Sequence, residues 1–174
     1  MVAEAFRTIR TNLLLSSPAD RQRTLLVTSA KPEEGKTSIA VNLAIALGQS
    51  GRRVLLVDAN FHRPALHQLF NKSQRAGLSN ALVGRASLEE IAQPTELPNV
   101  DVVTTGPVPP NPAELLASNY LRELIAQAGS RYDQVIFDGP PVLLVSDGLV
   151  LASTLDGVIL VCRARAISRG VVQR

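Results

Sequence analysis

The run Thr24-Leu25-Leu26-Val27-Thr28-Ser29-Ala30-Lys31-Pro32-Glu33-Glu34-Gly35-Lys36-Thr37 joins a short β-rich apolar segment, Leu25 to Val27, to a turn. The turn opens a helix-patterned segment, Ser38 to Gln49. Strand, loop, Gly-Lys-Thr and helix is the layout of a P-loop. In that layout the backbone N–H groups of the loop and the helix N-terminus face phosphates, the lysine reaches the β/γ oxygens, and the threonine hydroxyl ligates Mg²⁺. The nucleotide-binding residues are then Pro32, Glu33, Glu34, Gly35, Lys36, Thr37 and Ser38. Gly35 keeps the backbone free of a Cβ where a phosphate must come close. Ala30 stands where the G-x-x-x-x-G-K-[ST] pattern has its first glycine, so placement between strand and helix carries the reading as much as the motif does.

Outward from this run, β-rich and helix-patterned segments alternate. Val2 to Leu15 has an apolar stripe of Val2, Phe6, Ile9 and Leu13 and predicts an amphipathic helix, ended by Ser16-Ser17-Pro18. Glu4, Arg7 and Arg10 lie at steps of three on a neighbouring face; read from the residues alone, they form a solvated surface. Further strands are expected at Arg52–Asp58, Val100–Thr104, Tyr132–Asp138 and Gly157–Cys162. Helical segments are expected at Ala65–Phe70, Leu78–Val83, Leu88–Ile91, Glu114–Ala128 and Val145–Ser153, with the opening turn of another at the C-terminus. This order predicts a mostly parallel, doubly wound α/β sheet with helices on both faces.

With 174 residues, 45% apolar and 19% charged, the chain suits one domain with a sizeable core. We read residues 24–174 as the nucleotide-binding core and 1–17 as an N-terminal helix. A net charge of +3, without aromatic residues interleaved in a basic cluster, gives no footprint for nucleic acid. The single cysteine, Cys162, reads as a buried strand thiol, which makes the reducing cytosol the expected compartment. No apolar run approaches the roughly 18 residues of a membrane span, and charges interrupt any signal-peptide core near the N-terminus.

Ligands of open α/β sheets bind beyond the carboxyl ends of the strands. Three strand ends here supply Gly35-Lys36-Thr37, Asp58 and Asp138. Mg²⁺ is typically held by one or two carboxylates plus phosphates and waters. Asp138, after Gln134-Val135-Ile136-Phe137, fits an acid that holds Mg²⁺ through water. Asp58 is expected across the phosphates from it, as a second ligand of the metal shell or as a base for an incoming hydroxyl.

These residues resemble the bacterial tyrosine kinases of capsular and exopolysaccharide biosynthesis, which are related to the partition and cell-division ATPases. Glu4-Ala5-Phe6-Arg7-Thr8-Ile9-Arg10 matches the family's E-x-x-R-x-x-R oligomerisation motif. Ala30–Thr37 matches its Walker A, Asp138-Gly139-Pro140-Pro141 its Walker B, and Gly106–Leu116, with Pro-Pro-Asn-Pro-Ala-Glu-Leu-Leu, a further characteristic segment. The resemblance implies that Lys36 and Thr37 hold phosphates and Mg²⁺, that Asp138 supports Mg²⁺, and that Asp58 positions or deprotonates an accepting tyrosine. It implies subunit contacts for Glu4, Arg7 and Arg10 in a homo-oligomer. ATP and Mg²⁺ are the implied cofactors, a tyrosine-rich protein tail the substrate, and a membrane-embedded polysaccharide co-polymerase the partner. The implied location is cytoplasmic, at the inner membrane through that partner or a fused segment.

The chain departs from the pattern at three places. Asn60 stands where the second acid of Walker A′ (D-x-D-x-R-K-P) belongs, and His62 where its arginine belongs. The C-terminal tyrosine cluster is missing, as are the last strand and most of the last helix, so the chain reads as a truncated kinase domain or one without its own substrate tail. Lys31 reads as an exposed loop lysine. Two rival readings stay open: a partition-type ATPase using water as acceptor, and a nucleotide-gated assembly module with little catalysis.

Overall fold

The structure, a computed structural model, describes residues 2–16 and 23–163. Strand runs without polar alternation need a sheet covered on both faces, and that is how this one is built. β1 (Thr24–Ser29), β2 (Val54–Asp58), β3 (Gln93–Pro94), β4 (Val100–Val103), β5 (Gln134–Asp138) and β6 (Gly157–Val161) form a six-stranded sheet in the order β3-β4-β2-β5-β1-β6. Every pairing is parallel except that of β3 with β4.

Successive strand residues point to opposite faces, and the core divides accordingly. Val27, Val54, Leu56, Val102 and Ile136 pack on one face with Ala40, Leu43 and Leu47 of α2 (Lys36–Gly48). Leu26, Leu55, Val57, Val135 and Phe137 pack on the other. There they meet α4 (Leu78–Ala81), α5 (Leu88–Ile91), α7 (Asn119–Arg131) and α8 (Asp147–Thr154). α2 is apolar almost all round because α1 (Val2–Ser16) covers its outer side: Phe6 is buried, and Ile9 packs against the α2 cluster. The short α3 (Leu66–Leu69) follows β2 and buries Leu66 in the same layer.

Some expectations need correction. The predicted helix Glu114–Ala128 is two helices, α6 (Pro112–Leu116) and α7. Pro112 opens α6, where a missing N–H costs nothing, and the extended backbone of Ser118 separates it from α7, with no capping bond from the serine side chain. β3 was not expected; its proline is tolerated because it lies on an edge strand. Cys162 is exposed rather than buried: it follows β6, which ends at Val161 and among the described residues has a neighbour on one side only. One face of β6 meets the core through Ile159 and Val161, while Val158 and Leu160 are exposed. The expected final helical turn lies outside the described residues. Among the described residues no helix is long and apolar enough to cross a membrane.

Candidate active site

β5 runs between β1 and β2, and the register sets Asp138 beside both Val27 and Asp58. Neighbouring strands lie about 4.8 Å apart, so the two acids and the loop after β1 converge at one edge of the sheet. That loop turns twice through left-handed geometry, at Glu33 (φ 64°) and Gly35 (φ 89°). Ser29 Oγ donates to the Lys31 carbonyl at 2.6 Å, and the Lys31 N–H donates to Glu34 Oε2 at 2.9 Å. A Cβ on Gly35 would meet no protein atom within 4 Å. What demands glycine is therefore the positive φ, together with the space kept open above it. Ala30 has no positive φ, which explains how the pattern's first glycine is dispensable here.

Lys36 and Thr37 are the first residues of α2, whose first turn closes with the Ile39 N–H on the Gly35 carbonyl at 3.0 Å. The leading N–H groups of a helix have no intrahelical acceptor, so an anion binds there readily. They face a cleft of about 330 Å³ lined by Pro32, Glu33, Gly35, Lys36, Thr37, Ser38, Asn60, His62, Arg63, Pro140, Pro141, Leu144 and Val145. The loop after β5 is fastened to β1: Gly139 N–H to the Val27 carbonyl, Thr28 Oγ to the Pro140 carbonyl, and Val142 N–H to the Ser29 carbonyl.

Asp138 is 1% exposed, and among the described residues neither carboxylate oxygen has a hydrogen-bond partner. Burial pushes its pKa up to about 7; the nearby Thr37 hydroxyl opposes the rise, the Asp58 charge adds to it, and Lys36 opposes it again. An orphaned buried carboxylate is costly. This one, beside Thr37 and at the foot of an anion cradle, fits a hard cation that shares phosphate oxygens and keeps waters.

Asp58 is engaged differently. It is fully buried, and it accepts the N–H groups of Asn60 on Oδ1 and of Ala65 and Leu66 on Oδ2. Burial raises its pKa, while the bonds from Leu66, Ala65 and Asn60 and the charge of His67 hold it back. It thereby ties the start of α3 to the end of β2. Asn60 is buried and lines the cleft, its carbonyl oxygen accepting the Arg63 N–H at 3.2 Å.

Two side chains reach across the cleft. Arg63 lies 3.4 Å from Glu33 of the phosphate loop, an exposed pair worth about 1 kcal/mol at most. His62 Nε2 lies 2.9 Å from Oδ2 of Asp147, which is buried at the start of α8. Asp147 was not singled out in the sequence, where it reads as an ordinary acid in a helix's first turn. Lys31 is exposed, as expected. Outside the residues that line the cleft, exposed Glu4 and Arg7 pair at 3.1 Å, while Arg10 donates to the Ala46 carbonyl near the end of α2.

Residues 22–173 match the AAA domain family. The chain is 43% identical over 159 residues to the Bacillus subtilis tyrosine-protein kinase YwqD, covering 91% of this chain and 67% of that protein. It is 40% identical to the Acinetobacter johnsonii tyrosine-protein kinase ptk but spans only 21% of that protein's length. Among solved structures, the kinase domain of the Escherichia coli tyrosine kinase ETK superposes with a TM-score of 0.93 at 37% identity, over 98% of this chain and 67% of that one. The Mg-ADP complex of the septum site-determining protein MinD from Pyrococcus horikoshii is more distant, with a TM-score of 0.67 at 27% identity over 80% and 57% of the chains. On these matches the chain belongs to the bacterial tyrosine-protein kinases and carries their AAA domain.

Proposed function

We propose that this chain is an ATP- and Mg²⁺-dependent protein-tyrosine kinase domain that regulates the synthesis and export of capsule or exopolysaccharide. The observation that carries the reading is Asp138, buried and unpaired at the foot of the cradle that opens on Lys36 and Thr37. Lys36 pairs with the β/γ-phosphates, and the N–H groups from Pro32 to Ser38 surround them. Thr37 and Asp138 would hold Mg²⁺, and Asp58, beside Asp138 on the neighbouring strand, is the second acid of the site. The bound Mg²⁺ neutralises charge on the phosphates; the protein's part is positioning and electrostatics rather than covalent chemistry.

In this reading residues 1–174 are one domain, in which 24–174 bind nucleotide and 1–17 carry Glu4, Arg7 and Arg10 into contacts between copies. The domain works in the cytoplasm, beside the inner membrane, with a membrane-embedded polysaccharide co-polymerase. A tyrosine-rich protein tail is its substrate. Asn60, a neutral amide where an acid is expected, favours weakened catalysis.

The test is to incubate the protein with ATP, Mg²⁺ and a tyrosine-rich peptide and to look for phosphotyrosine. Phosphate release without phosphotyrosine points instead to a partition-type ATPase. Nucleotide binding with neither product points to an assembly module.

A further inference from the structure

His62 stands where the Walker A′ pattern would place an arginine, and it differs from arginine in one decisive way: imidazole can accept a proton, guanidinium cannot. Its Nε2 is 2.9 Å from Asp147 Oδ2, and this is the only hydrogen bond either side chain makes among the described residues. Asp147 is 5% exposed at its side chain, so the carboxylate is a fixed post. A carboxylate accepts, which puts the ring's N–H on Nε2 and leaves Nδ1 as an acceptor. The ring is 46% exposed and lines the same cleft as Lys36 and Thr37.

The acids at the strand ends are poorly placed to take a proton from a hydroxyl in that cleft. Asp58 has no exposed surface, and both of its oxygens already accept backbone N–H groups. Asp138 lies buried at the end of β5 beside Thr37, where in the proposed reading it serves a cation rather than a hydroxyl. Glu33, the one carboxylate on the cleft wall, is 84% exposed at its side chain and is held toward Arg63. The charged groups that share the cleft with His62 are therefore Glu33 and Lys36 of the phosphate loop and α2, and Arg63 beside it, with Asp147 behind it on α8.

We propose that His62, oriented by Asp147, is the proton acceptor for the attacking hydroxyl, an inference that rests on the kinase reading above. The phenolic oxygen forms its bond to the γ-phosphorus, and the bond from that phosphorus to the β,γ-bridging oxygen breaks, its electron pair leaving on ADP. The phenolic proton passes to Nδ1 of His62 and then to solvent, and Asp147 stabilises the imidazolium in between. Asp147 is a positioning residue; it acts through the ring.

The experiment uses the whole chain, Mg-ATP and a tyrosine-rich peptide. Initial rates of phosphotyrosine formation are followed from acid to alkaline pH for the parent, His62→Gln, His62→Arg and Asp147→Asn, with affinity for a fluorescent ADP measured on each. General-base catalysis contributes about 10²–10⁴-fold, so His62→Gln should lose at least about tenfold in kcat. It should also lose the fall in rate at acid pH that protonation of the ring imposes on the parent. His62→Arg, which keeps a cation against Asp147 without an acceptor, should fall with it. Asp147→Asn, which leaves the ring without its fixed acceptor, should lower kcat while affinity for ADP stays unchanged. If Asp147→Asn does not fold, the half-exposed His62 variants still decide the matter. An unchanged rate and acid limb in His62→Gln overturns the proposal, as does recovery of the parent rate by His62→Arg. So does loss of transfer in the same proportion as loss of ADP affinity, which would make the pair a strap between loop and helix. A parent that forms no phosphotyrosine at any pH overturns the kinase reading and this proposal together; the other outcomes overturn this proposal alone.

Discussion

Asp138 stores an electrostatic penalty in the nucleotide-free protein. Its pKa rises from an ordinary 3.8 to about 7 on folding, so between those values the native state holds a proton that the unfolded chain has released. Below about pH 4 both states are protonated and the group contributes nothing. As pH rises, stability falls by about 1.4 kcal/mol per pH unit, and the full loss, on the order of 4 kcal/mol, is reached above about pH 7. Denaturant melts of the nucleotide-free protein across this window should show that decline, and Asp138→Asn should flatten it. A parallel decline in both proteins would place the titration elsewhere. The neighbouring Asn60 tests the same charge balance from the other side. An Asp there would add a third carboxylate near Asp58 and Asp138, lowering stability without metal. It would also add charge near the cation, where outer-shell partners change affinity or activity by about 10–100-fold. Asn60→Asp should therefore raise Mg²⁺-dependent phosphoryl transfer at least several-fold. Equal turnover across a Mg²⁺ titration would leave Asn60 with only the turn it makes to the Arg63 N–H.

At the level of elements, α2 shows how a local rule yields to packing. Replacing a helical glycine by alanine ordinarily gains up to about 1 kcal/mol. A Cβ on Gly48, however, would clash with the Pro98 carbonyl and stand 2.8 Å from Val100 Cγ2. Overpacking of this kind costs about 1–3 kcal/mol, and a backbone oxygen cannot swing aside as a side-chain tip can. Gly48→Ala should therefore lower the melting temperature by several degrees; an unchanged or higher value would mean that the segment before β4 shifts freely. The same contrast explains what the sequence made legible. Runs such as Val54–Val57 and Val135–Phe137 are apolar on both faces, so their burial in a parallel sheet, the order of strands and helices, and the Lys36–Thr37 cradle could be read from pattern and motif. Gly157–Cys162 carries the same pattern, yet among the described residues β6 has one neighbouring strand and Val158 and Leu160 are exposed, because pattern records hydrophobicity and not the number of neighbours. The break between α6 and α7 falls at Ser118, whose extended backbone interrupts an otherwise helical pattern. The bond from His62 to Asp147 spans 85 positions and carries no local signal at all.

α1 packs on α2 and contributes no residue to the lining of the nucleotide cleft. Two arginines of α1 stand in unlike positions. Arg10 donates to the Ala46 carbonyl at 3.2 Å, close to the negative end of α2, and so belongs partly to the fold of one copy. Arg7 and Glu4 are 63% and 72% exposed at their side chains and among the described residues pair only with each other, an arrangement worth about 1 kcal/mol or less within one copy. Removing both charges should therefore leave the melting temperature of an isolated copy almost unchanged. At an interface between copies the same groups would be desolvated, and stripping one side leaves its partners unpaired at a cost of about 2–5 kcal/mol, enough to shift association by more than tenfold. The double variant Glu4→Ala, Arg7→Ala is thus a cleaner probe than any change at Arg10. Light scattering over a concentration series should show it displaced toward the monomer relative to the parent, with the melts superimposed. The same mass for both proteins at every concentration would assign Glu4 and Arg7 to a solvated face and leave assembly to another surface.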